Sequence, residues 1–518
     1  GVTTVEKTGA GNENGNGGNT FAGTTTTIIC SGSGDLYIGN GSPDVYNTDI
    51  TFTSTGSGSI YVGYAFASTF NGNIYVNSTG SSQGIKFGYF TGTSTLAATR
   101  NINVGAIGFS ACQLHLKRFT QSDAATPQTL TLTGTAILVV GPSSTFNGVV
   151  NFIAPGICLN GCTYGNTATF TKTGSSADYG EGNNIFNGIT TITNSGTGLF
   201  ILGHINTDIF NADVTFTNNG SNLIYVSFIA ASTFNGNIYV NSTGSSQGIY
   251  FGQNGGTTTL VTTKTISVGT EFSSGTLRLR NFIQQGTTTP QTITLTGTTA
   301  VIDFESGSIF NSAITTASPY FALNGTTFNG VTTIEKTTGT LNNESYGGAT
   351  FNDITTIINS SSGNILFANI SFATDVTFSN IGTSYMRAAY NGTNNFNGDI
   401  IFNNTNSSGG VYLGEFGTST LADTKTIRIG AIGFATGTHS IWHLTQLGTT
   451  AQIITLTGTT TTLSLGTGSV FNGNVTATAP VLEVSGATFN GTAILEQTGT
   501  IRGLGRGGNT FNQNVTFT

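Results

Sequence analysis

Short runs of alternating apolar and polar residues fill this chain. Asn73-Ile74-Tyr75-Val76-Asn77 and Gln83-Gly84-Ile85-Lys86-Phe87 are typical, and clusters of Gly, Ser, Thr or Asn close each run. Period two sends alternate side chains to opposite faces of a strand. Each run therefore predicts a short strand with one buried face and one polar face. Gln128-Thr129-Leu130-Thr131-Leu132-Thr133-Gly134 is the cleanest case, with three Thr facing out and matches beginning at Gln291 and Gln452. Abundant Thr, Ile and Phe, with a single Met and few Lys or Glu, argue for strands over helices.

Two periods order these strands. Aromatic-Asn pairs mark a short one of roughly 24 residues: Tyr46-Asn47, Phe70-Asn71, Phe186-Asn187, Phe210-Asn211 and Phe234-Asn235. The long one is plainer. Ala67 to Ile85 recurs unchanged at Ala231 to Ile249, an offset of 231 − 67 = 164, and a looser copy includes Phe396-Asn397-Gly398-Asp399-Ile400. Phe21, Phe186, Phe351 and Phe511 are spaced by 165, 165 and 160. Phe70, Phe234 and Phe396 keep the same beat, as do Phe146, Phe310 and Phe471. The repeat of about 163 residues gives units at 1–165, 166–329 and 330–490, with a fourth beginning at 491–518.

A coil of about 24 residues with three short strands predicts an all-β fold, a parallel β-helix solenoid, right-handed by the usual preference. Separate β-sandwiches would need about 100 residues each and visible linkers. No linker stands out, and the chain has only 7 Pro. The whole is read as one continuous solenoid. Inward Ile, Val, Leu and Phe stack from coil to coil. The Asn after each aromatic is expected to take a left-handed turn conformation and to form amide ladders. The Gly that follows is expected to have positive φ. At about 4.8 Å per coil, about seven coils advance roughly 34 Å per long repeat.

Charge narrows the functional classes. Charged residues are 7% of the chain, against about 25% in typical soluble proteins. A thinly spread net charge of −7 gives no footprint for nucleic acid. No apolar run is long enough to span a bilayer. The chain starts inside one repeat and stops inside another, so it is read as a window from a much longer protein whose export signal and any anchor lie elsewhere.

Few residues offer chemistry. Asp178 and Glu181 share a turn, but the matching turns carry Asn and Gly plus an isolated Glu13 or Glu344, so a solvated turn is expected rather than an acid–base pair. Asp49, Asp213 and Asp375 match, as do Asp44 and Asp208, without the glycine-aspartate nonapeptides of calcium β-rolls. His439 and His443, four apart, are placed on one face of a strand, with no further zinc ligands nearby. His439 aligns with Leu114 and Leu277 and so should face the core, whereas His115 should face out. Lys117/Arg118 and Arg278/Arg280 recur at the long period and read as a solubilising stripe, with an acidic glycan or a neighbouring chain as the alternative partner. Thr129-Thr131-Thr133 returns once per long repeat, which argues against an ice-binding array. Cys30 and Cys112 fall three to four coils apart, too far to pair. Cys158 and Cys162 flank one turn and could pair. No catalytic, cofactor-binding or metal-binding residue is assigned.

The phrases Phe-Asn-Gly-Val-Thr-Thr-Ile-Glu-Lys-Thr (328–337) and Gly-Gly-Asn-Thr-Phe-Asn (507–512) resemble those of giant tandem-repeat surface proteins of Bacteroidetes. The resemblance is one of repeat style and spans essentially the whole chain. It implies type IX secretion, an extracellular location, and service as gliding adhesins or grappling-hook filaments, with no catalytic residues. The expectation is a non-enzymatic structural segment of an extracellular filament or adhesin stalk, laterally assembled from identical chains as a parallel multi-chain bundle, with cell-surface glycans or prey surfaces as further partners. The alternatives are a glycan-binding adhesin module and, third, a β-helix polysaccharide enzyme. Outward Tyr75, Tyr239 and Trp442 favour lateral contacts, because aromatic surface is costly to leave in water.

Overall fold

The computed structural model describes residues 1–80, 83–405 and 409–518, so Ser81 and Ser82 of the Ala67–Ile85 stretch lie outside the described residues. The chain divides into two compact units, Gly1–Lys264 and Thr265–Thr518. Each is a parallel β-solenoid, with turns roughly 24 residues apart.

In Gly1–Lys264 each coil supplies three short strands that stack on their counterparts. One ladder runs Thr25–Cys30, Ile50–Ser54 and Ile74–Ser78. A second runs Leu36–Tyr37, Ile60–Val62 and Ile85–Phe87, and a third Asp44–Tyr46, Ser68–Phe70 and Ser94–Leu96. Pairing is parallel and in register: Ile50 with Ile74, Ile60 with Ile85, Phe70 with Leu96. The unit Thr265–Thr518 repeats the plan, with Thr355–Asn359 on Val376–Asn380 and Thr350–Phe351 on Ser371–Phe372. Among the described residues the only helical element is the single turn Gln253–Gly255, and no helix is long and apolar enough to cross a membrane.

Coil length is not constant. Val150 pairs with Ala168, 18 residues on, and Ile74 with Ile102, 28 residues on. Separately from that coil's length, the register shifts between Val76 and Ser78, opposite the strand Ile102–Phe109, so that Ser78 pairs with Phe109, 31 residues on. The extra residues, Gly105 to Gly108, leave the ladder as a β-bulge that re-aims the side chains.

Two columns hold each core together. Aromatic rings stack at one corner: Phe21, Tyr46 and Phe70 at 4.8 Å, then Phe186, Phe210 and Phe234 at 4.6 and 4.7 Å. In the second unit Phe328, Phe351, Phe372 and Phe396 follow at 4.9, 5.2 and 5.3 Å. Beside them runs the expected amide ladder. Asn71 donates to Asn47 at 2.9 Å, Asn211 to Asn187 at 2.7 Å, and Asn352 to Asn329 at 2.7 Å. Each buried ring removes enough apolar surface from water to contribute about 1.5–3 kcal/mol.

The backbone at this corner differs from the expectation. Neither Asn47, Asn71, Asn187, Asn211 and Asn235 nor the glycines Gly72, Gly188 and Gly236 have positive φ. Glycine is required there by proximity. A Cβ on Gly72 would lie 2.1 Å from the Thr48 carbonyl carbon, and one on Gly236 2.1 Å from that of Ala212. The preceding coil passes too close for any side chain.

Candidate functional site

The carboxylates divide into two groups. Asp178 is not in a solvated turn: it is 2% exposed and 3.4 Å from the fully buried Lys172. It also accepts from the Ile157 amide at 2.9 Å and from Ser176 at 3.2 Å. Burial pushes its carboxyl up and the Lys172 ammonium down, and their attraction opposes both shifts. Glu181 alone is exposed as expected. Lys172 further donates to the carbonyls of Gly174 and Pro155. Lys336, at the matching position, donates to Pro319 at 3.0 Å and Thr338 at 2.8 Å with the Tyr320 ring 4.6 Å away. These lysines close a corner of the coil.

The remaining aspartates hold coils in register. Asp49 accepts from the Asn73 amide, Asp213 from that of Asn237, and Asp375 from that of Asp399, at 2.8–2.9 Å. Asp44 and Asp208 are fully buried, and each accepts from the backbone and side chain of an asparagine one coil earlier, Asn19 and Asn184. Burial raises the Asp208 carboxyl to about 6. Among the described residues no three His, Cys, Asp or Glu side chains form a metal-holding group.

His439 faces the core as its register implies. It is fully buried, its ring 4.1 Å from Phe402 and 5.5 Å from Phe434, with Nδ1 3.1 Å from the Val411 carbonyl and Nε2 without a partner. Burial pushes it down to about 4. His443 does not share its strand, which ends at Ile441. It sits in the following turn at φ 48°, 2.7 Å from the Gly414 carbonyl. His115 points outward but is covered, its ring against Tyr89, and burial with Lys117 and Lys86 nearby pushes it to about 3.

The basic pairs do not form a free solubilising stripe. Arg278 bridges Asp303 and Glu305 at 3.0 Å each, and Arg280 reaches Glu305 at 3.6 Å. Lys117 lies 4.6 Å over the Tyr89 ring, and Arg118 donates to the Gly88 carbonyl at 3.0 Å. None of the four cysteines forms a disulfide. Cys158 faces outward beside Val139 while Cys162 is buried, so the pairing their spacing allowed is not made. Threonine also stacks more than the strand at Thr129 suggested. Thr169, Thr191 and Thr215 form one rank and Thr171, Thr193 and Thr217 a second, bounded by Asn151/Ile153 and Tyr239/Asn241.

Two surface features remain. The bulge in the Ile102–Phe109 strand holds Ile107 out at 57% exposure, beside an open groove of about 480 Å³ floored by Thr27, Ile29, Thr51, Thr53 and Tyr75. The same motif in the other unit, Gly430-Ala431-Ile432-Gly433-Phe434, leaves Ile432 60% exposed. In the middle repeat the matching residues are Thr270-Glu271.

The second feature lies on the outer face of the strands Thr438–Ile441, Thr462–Leu465 and Val481–Val484. Inward columns stay apolar between repeats, as in Leu116, Leu279 and Ile441 or Leu138, Ile302 and Leu463, except that His439 replaces Leu114 and Leu277. Outward columns diverge, most of all in the third repeat: His115, Arg278 and Ser440; Lys117, Arg280 and Trp442; Val139, Asp303 and Ser464; Cys158, Ala322 and Glu483. In the last of these sets the surface opens into a groove of about 420 Å³. Matched against protein-family models, curated proteins and solved structures, the chain finds no counterpart.

Proposed function

We propose that this chain is a non-catalytic structural segment of an extracellular filament or adhesin stalk, assembled laterally from identical chains. The observation that carries the reading is the knob beside a groove: Ile107 projects on the same face as the apolar trough floored by Ile29, Thr51 and Tyr75. A second copy offers both parts to the first, so each tip can enter the other's trough in a self-complementary contact. The trough residues named carry no charge, which keeps desolvation cheap and repulsion low. The tip recurs at Ile432 in the other unit, which offers a second contact of the same kind. Stacked rings and amide ladders supply the stiffness such a role needs, and the likeness to Bacteroidetes tandem-repeat proteins favours a surface location and type IX export.

Tyrosine modification tests the reading. In the assembled protein Tyr75, on the trough floor, is expected to react slowly while Tyr179, 49% exposed, reacts freely. Equal and rapid modification of both, unchanged by dilution, contradicts lateral assembly through this face.

A further inference from the structure

We propose that the groove at Trp442 binds a pyranose ring, a role separate from lateral assembly. Its wall is the indole of the chain's one tryptophan. The indole is fixed. Its Nε1–H donates to Ser464 Oγ at 3.2 Å, and it lies over Gly466, where a Cβ would come within 2.2 Å of the ring. Glycine at 466 thus makes room for the indole to lie against the coil.

The rest of the lining is hydroxyl-rich. Thr438, Ser440, Thr467 and Ser485 line it, with Glu483 and Arg506 as the charged groups. Ser440 adds an unused hydroxyl to that lining. It is 2% exposed, and its Oγ has no hydrogen-bond partner. A buried hydroxyl left unpaired costs about 1–3 kcal/mol, which a ligand hydroxyl entering the groove would recover.

This combination selects a class. A pyranose presents a face of C–H groups, which packs on the electron-rich face of an aromatic ring. Its edge carries hydroxyls that donate to a carboxylate and exchange hydrogen bonds with serine and threonine. The volume lies within the roughly 300–1,000 Å³ usual for small-ligand clefts. A purely apolar ligand would strand Ser440 and Glu483 against carbon. Glu483 and Arg506 offset each other in charge, which suits a neutral ligand. At the matching place in the middle repeat the ion pairs of Arg278 and Arg280 with Asp303 and Glu305 occupy the face, so the groove belongs to the third repeat.

The lone tryptophan makes the test direct. The full chain is titrated with methyl β-glucopyranoside, methyl β-galactopyranoside, N-acetylglucosamine and their β-linked oligosaccharides, reading tryptophan emission, with glycerol as the additive control. At least one sugar is expected to give a saturable shift that glycerol does not. Ser440→Ala, which keeps the indole, should weaken that sugar roughly tenfold. Glu483→Gln should do the same, with unchanged circular dichroism in both. Oligosaccharide binding tighter than monosaccharide binding identifies a polymer as the source, and equal binding a single terminal ring. Absence of a saturable shift with every sugar overturns the proposal, as does a shift that survives both substitutions or one that glycerol reproduces. Saturation-transfer NMR reads binding without the indole, so Trp442→Phe serves as a further variant.

Discussion

His439→Leu isolates what one polar side chain does inside a stacked core. The matching positions hold Leu114 and Leu277, so leucine is already the residue this coil geometry accommodates. The neutral imidazole keeps one bond, to the Val411 carbonyl, and leaves Nε2 unpaired. At pH 8 the lost bond and the relieved orphan nearly offset, and the variant should lie within about 1 kcal/mol of the parent. Acid separates them. Burial holds the folded pKa near 4, against 6.5 when unfolded. Between those values the unfolded chain binds more protons, so stability falls as pH drops through the window and the loss is complete below about 4. The full span is about 3 kcal/mol, of which about 2 kcal/mol is lost by pH 5. The readout is hydrogen exchange, as protection factors, in Thr438–Ile441 and Gly410–Leu413. From pH 8 to pH 5 the parent should lose roughly thirtyfold more protection than His439→Leu. An equal loss in both proteins, or an imidazole titrating near 6.5 by NMR, would refute the reasoning.

Asp208→Asn works with the opposite sign. The folded carboxyl titrates near 6 against 3.8 unfolded, so stability falls as pH rises through that window, and the variant should gain up to about 3 kcal/mol at pH 7 and nothing at pH 3.5, read by local exchange at Asp208–Phe210. Gly236→Ala should cost about 1–3 kcal/mol by the same measurement, and Gly236→Asn should do no better, because the obstacle is the Ala212 backbone rather than the φ angle. Tyr46→Phe should raise stability by about 1–2 kcal/mol, since the Tyr46 hydroxyl is buried without a partner and the matching residues are Phe210 and Phe372; a loss of stability would show that the hydroxyl has a partner.

The solenoid was legible because its signals repeat. Alternation names the strands, and the spacing of Phe-Asn pairs names the coil. The Asn ladder follows from stacking identical side chains. What the sequence concealed were distances between coils. Nothing local tells a glycine needed for positive φ from one crowded by a neighbouring backbone, as at Gly72. Asp178 looked solvated because its partner, Lys172, lies on the preceding strand and meets it only once the turn closes. The arginines looked free because Asp303 and Glu305 lie one coil away. The Asn184–Asp208 pair could have been recognised as structural, since the third repeat replaces both members together with Ala349 and Ile370, both buried. The Trp442 groove also had a signal, the contrast between inward columns that stay mostly apolar and outward ones that diverge, which becomes readable only when register assigns each residue a side.

Lateral assembly is tested most directly by the mass of the full chain in solution. Mass photometry across a dilution series should show species at whole multiples of 53.3 kDa that persist at the lowest workable concentration. Ile107→Asp combined with Ile432→Asp should reduce them to single chains while leaving circular dichroism unchanged. A parent protein that stays at 53.3 kDa at every concentration would contradict the account.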